Sequence, residues 1–325
     1  MLHRMEAAEP HDDCDEGRRV QSANESKPVS PSKTIALLAW TVVNTLATIG
    51  IVFMNKAIFS NERLKLAQTS FATFHFLVTW LTLYTISRPR FALFNPKKVP
   101  LLEIVPLSIA MSLNVILPNL SLAYSSTTFY QMVRILLTPC VAAMNYILYG
   151  ATVSWKAMMA LVPTCAGVGM LSYYDSRPQA SAAIKATDLC GVVFGFSGVF
   201  ASSLYTVWVA GYHRRLQTSS MQLLINQAPI SALLLLYVIP FVDTLPARNT
   251  VPWNGWAMVL MSGLFASLIN ISQFFIIVQG GPVLSTVVGH LKTCSIVGLG
   301  WMASGRSKSG GPTTSIVVAI VGIIS

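Results

Sequence analysis

Apolar residues along this chain gather in long runs separated by short polar and charged connections. The runs extend over Thr34 to Met54, Gln68 to Ser87, Pro100 to Ala123, Thr127 to Tyr149, Ser154 to Tyr174, Leu189 to Gly211, Met221 to Val242, Trp256 to Val278, and Pro282 to Ala303. Each is close to the roughly 20 residues that a helix needs to cross a hydrocarbon core ~30 Å thick. The pattern therefore predicts an all-α, polytopic membrane protein with nine complete spans. A tenth run begins near Thr313, but the ~12 residues left before Ser325 would reach only ~18 Å at the helical rise, so the last helix is expected to be truncated. Residues 1–33 are polar, of mixed charge and rich in Ser, Pro, Glu and Asp, which predicts a disordered tail. That tail has no apolar core behind a basic start, and its acidic residues do not suit a transit peptide, so insertion is expected to rely on the first span.

Composition agrees with lipid as the solvent. Of 325 residues, 53% are hydrophobic and only 10% charged, against about 25% charged in soluble domains. The net charge of +10 does not indicate nucleic acid, because no folded polar domain presents a basic face. It resides in the loops. Arg88, Arg90, Lys97, Lys98, Lys156, Arg214 and Arg215, together with the basic residues of the tail, outnumber those on the other side, which predicts a cytoplasmic N-terminus. The five cysteines form no CxxC pair and read as small buried hydrophobes, not as a disulfide framework or a metal site. Catalytic motifs are missing too: there is no Ser-His-Asp set, zinc-protease motif or phosphate-binding glycine loop, so neither enzyme chemistry nor a cofactor is expected.

Two full charges interrupt the apolar runs, Arg134 in the fourth and Lys292 in the ninth. Each costs at least about 2.5 to 3.5 kcal/mol on insertion scales, so a cation kept at that depth normally faces a wet cavity. No carboxylate lies inside a span to neutralise them; Glu103, Asp175, Asp188 and Asp243 sit at or near span ends. The missing counter-charge points to an anion supplied from outside the protein. At helical spacing, Thr127, Tyr130, Gln131, Arg134 and Thr138 fall on one face, and Ser285, Gly289, Lys292 and Ile296 on another. Hydroxyl, amide and guanidinium groups together suit phosphate oxygens. The small residues near Lys292 leave room for a ligand or for a neighbouring helix. Asn44, His75, Asn114, Asn119, Asn226, Gln227, Asn270 and Gln273 are further polar groups at membrane depth, expected chiefly as interhelical hydrogen-bond partners. Seven prolines in or at the ends of spans can free backbone carbonyls for water or ligand, as broken transporter helices do.

Asn55-Lys56, Asn119-Leu-Ser-Leu-Ala-Tyr124, Phe129-Tyr-Gln-Met, Ser219-Ser-Met-Gln-Leu-Leu224, Gln227-Ala-Pro229, Pro282-Val283 and Gly289-His-Leu-Lys-Thr-Cys294 follow one another in an order and spacing that is informative. Together they resemble the nucleotide-sugar transporter and triose-phosphate translocator family of the drug/metabolite transporter superfamily, and within it the branch of solute carrier family 35 member E3-like proteins. The resemblance runs from about Thr34 to the end. It implies a ten-helix fold of two inverted five-helix repeats, 34–174 and 188–325, and alternating access. The implied activity is antiport of a nucleotide sugar against a nucleoside monophosphate across a Golgi or endoplasmic reticulum membrane, with the lipid bilayer and a second copy in a homodimer as partners. The family's substrate lysine maps to Lys292, and its fourth-helix basic position, usually lysine, to Arg134. Tyr130, Gln131, Thr127, Asn226, Ser285, Gly289 and Thr293 are then the expected further substrate contacts. Plastid phosphate translocators carry Lys-Arg where this chain has Lys292-Thr293, which speaks against a small sugar phosphate. A sugar-phosphate or phosphoenolpyruvate exchanger of phosphate, and a non-transporting membrane scaffold, remain the alternatives. An internal echo, Asn119-Leu-Ser121 against Asn270-Ile-Ser272, is compatible with inverted repeats.

Overall fold

The structure is a computed structural model that describes residues 31–58, 67–91, 93–125, 127–175, 188–244 and 253–304. The tail before Pro31 and the tenth run lie outside the described residues. Among those described, the chain is helical with no strand. A bilayer offers backbone groups no partner, so each apolar run bonds its N–H and C=O groups within its own segment. In chain order the helices are α1 (Pro31–Ile58), α2 (Gln68–Ile86), α3 (Leu101–Tyr124), α4 (Thr127–Ile135), α5 (Leu137–Tyr149), α6 (Trp155–Asp175), α7 (Leu189–Leu216), α8 (Ser220–Val242) and α9 (Trp253–Ser304).

One run folds differently from the sequence expectation. The fourth, read as one helix, is divided at Leu136: its N–H turns back to the Val133 carbonyl at 3.0 Å. Pro139 has no N–H to offer the Ile135 carbonyl four residues back, so α4 stops there and α5 restarts one residue on. The eighth and ninth runs, read as separate helices, are the two arms of α9, 253–280 and 282–304, parted at Gly281 as the sequence expects. Gly281 bends α9, at φ 83° and ψ 168°, a region open to glycine alone, and Pro282 follows. A straight helix would hold Gln273 and Ser285 about 18 Å apart, yet the Gln273 amide hydrogen-bonds the Ser285 hydroxyl, so the two arms, 253–280 and 282–304, fold toward each other.

Helix ends are fixed by the acids that lie outside the cavity. Asp243, at the end of α8, accepts from the Thr69 and Ser70 N–H groups at 3.2 and 2.6 Å and so caps α2. Asp188 caps α7 through the Leu189 N–H at 2.7 Å, and Ser219 with Gln222 forms a capping box on α8. α1 packs along α9, with Trp40 stacked on Phe275 at a centroid distance of 4.4 Å. α7 packs along α3, where Gly191, Gly195 and Gly198 sit against Tyr124, Ser121 and Pro118. α2 pairs with α8, and the apolar core draws on Phe76, Leu107, Tyr205, Leu224 and Ile277 from α2, α3, α7, α8 and α9.

The distribution of polarity is that of a protein dissolved in lipid. Leu38, Val42, Leu102, Ile147, Leu233 and Phe241 face outward, while Asn44, Ser121, Gln227, Ser231 and Ser272 are fully buried. Among the described residues six stretches are long and apolar enough to cross a bilayer. One of them, Trp253–Ile296 at 44 residues, is about 66 Å long at the helical rise, enough for two crossings once bent. The chain is a polytopic membrane protein.

Candidate functional site

Lys292 lies on the second arm of α9, and its Nζ donates to Asn44 Oδ1 on α1 at 2.8 Å. Asn44 is fully buried, and its Nδ2 donates to the Ile269 carbonyl at 3.1 Å and to Ser272 Oγ at 2.7 Å on the first arm. One carboxamide thus holds both arms of α9 to α1. Arg134 stands near the end of α4, where its Nη1 donates to the Tyr130 hydroxyl at 3.1 Å. Both cations line one cavity of about 680 Å³, within the range of small-molecule sites. The break at Leu136 and the bend at Gly281 are what bring the two charged segments onto a common space.

The walls come from α3, α4, α5, α7 and both arms of α9. Tyr130, Ser285, Gly289 and Thr293, expected from the sequence, are among them. A Cβ added at Gly289 would meet nothing within 4 Å, so this glycine leaves open space and does not serve close helix packing. Ser285 is buried against Gln273, and the Thr293 hydroxyl bonds back to the Gly289 carbonyl at 3.1 Å. Gln131 and Thr127 have side chains outside the described residues. Asn226 is not a wall residue. Its amide donates to the Lys97 and Gln222 carbonyls at 2.8 and 2.7 Å and accepts from the Val99 N–H at 3.3 Å, fastening the α2–α3 connection to α8. It sits nearly two turns into α8, turned toward the α2–α3 connection and not toward the cavity.

Several wall residues were not singled out as contacts from the sequence. Asn114, Asn270 and Gln273 stood there only as polar groups at depth, and Ser202, Tyr205 and Thr206 not at all. His290 hydrogen-bonds Thr138 across 2.7 Å, joining α9 to α5, a pairing that 152 residues of intervening chain conceal. His75 points elsewhere and meets Ser262 Oγ at 3.1 Å, a satisfied core histidine as expected. Asn270 donates to Thr79 and Gln227 to Tyr205, so those amides serve as interhelical partners.

The electrostatic character of the cavity follows from the residues that line it. Of the described acidic residues whose side chains are placed, Glu103, Asp188 and Asp243, none lines the cavity. Two cations therefore face one space with amides and hydroxyls around them and no carboxylate in its walls. Among the described residues no cluster of three or more His, Cys, Asp or Glu side chains stands ready to hold a metal ion.

A lipid-dissolved helical bundle wrapped around a polar, basic cavity is the architecture of a membrane transporter. No protein-family model matches the chain. It is 29% identical over 308 residues, 93% of its length and 85% of the relative's, to UDP-rhamnose/UDP-galactose transporter 3 of Arabidopsis thaliana. It is 27% identical over 296 residues, 90% of its length and 80% of the relative's, to UDP-xylose transporter 2 of the same organism. A solved protein crystal structure shares its fold at a TM-score of 0.67, covering 89% of this chain and 95% of the other at 13% identity. Over about nine-tenths of its length the chain thus resembles nucleotide-sugar transporters, which are carriers and not enzymes.

Proposed function

We propose that the protein is a secondary antiporter that exchanges a uridine-diphosphate sugar for a nucleoside monophosphate across a Golgi or endoplasmic reticulum membrane. The observation that carries this reading is the shared cavity of Lys292 and Arg134, about 680 Å³ in volume and without an acidic side chain among its described walls. A buried cation without a counter-charge is costly, and a diphosphate supplies that charge from the ligand. Arg134 offers a planar fork to two phosphate oxygens, and Lys292 a point charge that follows the other group. Tyr130, Ser285, Gly289 and Thr293 shape the space around the phosphates, with Gln131 and Thr127 on the same helix as Arg134. Asn114, Asn270 and Gln273 offer amides to the uracil and sugar. The names of the relatives, which speak of UDP-rhamnose, UDP-galactose and UDP-xylose, favour the uridine series. Thr293 stands beside Lys292 in the cavity wall, where a small sugar phosphate would call for a second cation.

Alternation of access rests on two inverted halves, 34–174 and 188–325. Packing supports this: α1 lies along the first arm of α9 as α7 lies along α3. Each echoed serine touches the first helix of the other half, Ser121 donating to the Gly191 carbonyl of α7 at 3.0 Å and Ser272 accepting from Asn44 of α1 at 2.7 Å.

The test is counterflow of UDP-galactose into proteoliposomes loaded with uridine monophosphate. Lys292→Ala is expected to lower exchange about a hundredfold, the scale of losing a desolvated charge-assisted contact. Unimpaired exchange by this variant would remove the reading. Binding of UDP-galactose without any counterflow by the unaltered protein would favour a scaffold.

A further inference from the structure

We infer that Asn44 is a surrogate ligand, holding Lys292 while the cavity is empty and yielding it to the phosphate of an incoming substrate, so that the unloaded carrier stays locked. The inference deepens the antiporter reading and rests on it. Asn44 is fully buried on α1, between the two arms of α9. Its Nδ2 meets a backbone carbonyl, Ile269, at 3.1 Å, and Ser272 Oγ at 2.7 Å. Ser272 spends its own proton on the Leu268 carbonyl, so it accepts from Asn44. Turning the amide over would set Oδ1 against that carbonyl, so the orientation is forced and Oδ1 is left to face Lys292 Nζ at 2.8 Å.

The consequence is mechanical. A carboxamide oxygen is neutral, whereas a phosphate is anionic and attracts an ammonium by full charge as well as by hydrogen bonding. A phosphate entering the cavity therefore draws Lys292 away, and the tie between α1 and the second arm of α9 opens. The ties to Ile269 and Ser272 do not depend on the lysine and persist, so what changes is the grip of α1 on the arm that carries the charge. The other cross-links at the cavity, Thr138 to His290 and Gln273 to Ser285, join neutral groups and offer a phosphate no comparable gain. A carrier that is released only when loaded cannot return empty, which makes exchange obligatory.

The experiment compares uptake of labelled UDP-galactose into proteoliposomes with and without internal uridine monophosphate. The unaltered protein should need the internal nucleotide. Asn44→Ala removes the surrogate, and uptake into unloaded vesicles is expected to rise about tenfold, the lower bound for a hydrogen bond to a charged group. Asn44→Asp supplies an anionic competitor that the substrate must displace, though it forgoes the Nδ2 ties to Ile269 and Ser272; in protein that keeps its thermal midpoint it should leave unloaded uptake at the original level and raise the half-saturating concentration about tenfold. If Asn44→Ala does not yield folded protein, Asn44→Ser replaces it, being too short to reach Lys292. A purely structural role predicts that the alanine and aspartate variants lose exchange alike, and that outcome overturns the inference while leaving the antiporter reading intact. An unaltered protein that exchanges no UDP-galactose overturns the antiporter reading, and the inference with it.

Discussion

Gly289 illustrates what a single residue contributes at the cavity. One turn before Lys292 on the same helix face, it leaves space that no neighbour fills. Gly289→Ala is therefore expected to fold at least as well as the original, since alanine in a helix interior is worth about 0.8 to 1 kcal/mol over glycine. Gly289→Leu should also fold, but it fills the ligand's space, and a rise of roughly tenfold or more in the half-saturating UDP-galactose concentration with unchanged thermal stability is the result to look for. A loss of stability in both variants would mean that the site packs a helix. Asn226 offers the contrast: in sequence it is as polar and as apparently deep as Asn44, yet it fastens a connection at the membrane face. Lys292 and Arg134 were legible because a charge inside an apolar run is costly wherever the run folds. Asn44 as the neighbour of Lys292 was not legible, because 248 residues separate the two and nothing local to Asn44 marks the pair.

Among elements, the bent α9 carries the most consequence. Its first arm supplies Asn270 and Gln273 and its second supplies Ser285, Gly289 and Lys292, so the angle at Gly281 sets how the two halves of the wall meet. Any side chain at Gly281 would occupy a backbone region open to glycine alone, at a cost of about 1 to 3 kcal/mol. A Cβ there meets nothing within 4 Å, so the strain is in the backbone and not in a clash. Gly281→Ala should lower the midpoint of thermal unfolding and reduce exchange together, whereas an intact midpoint would assign the bend to Pro282. The run lengths were readable from hydropathy, but the division at Leu136 was not, because Pro139 alone does not tell whether a membrane helix kinks, breaks or continues. Pro118 and Pro163 lie inside unbroken helices of the same protein.

For the molecule as a whole, helix order places the α2–α3 connection, the end of α5 and the α7–α8 turn on the face from which α1 starts. Lys97 Nζ reaches the Leu216 carbonyl at 2.9 Å, and the Arg214 guanidinium lies over the Tyr149 ring at 5.3 Å, which join these segments on one face. Arg88, Arg90, Lys98, Arg214 and Arg215 are exposed on it, whereas Asp188 and Asp243 mark the opposite face. Positive residues are retained on the cytoplasmic side, so a protease added to sealed microsomes should remove an N-terminal tag from the correctly inserted protein. A protected tag would reverse the orientation. By itself the sequence determined that lipid is the solvent, where the spans fall and which two charges are out of place, because all three follow from transfer costs that depend on local composition. Only the tertiary structure decided that Arg134 and Lys292 share a cavity, that Asn44 holds the lysine, that Gly289 opens space and that Asn226 stands aside. Those are distances between segments far apart in the chain, fixed by how a broken helix and a bent one pack against their neighbours, and no local pattern encodes them.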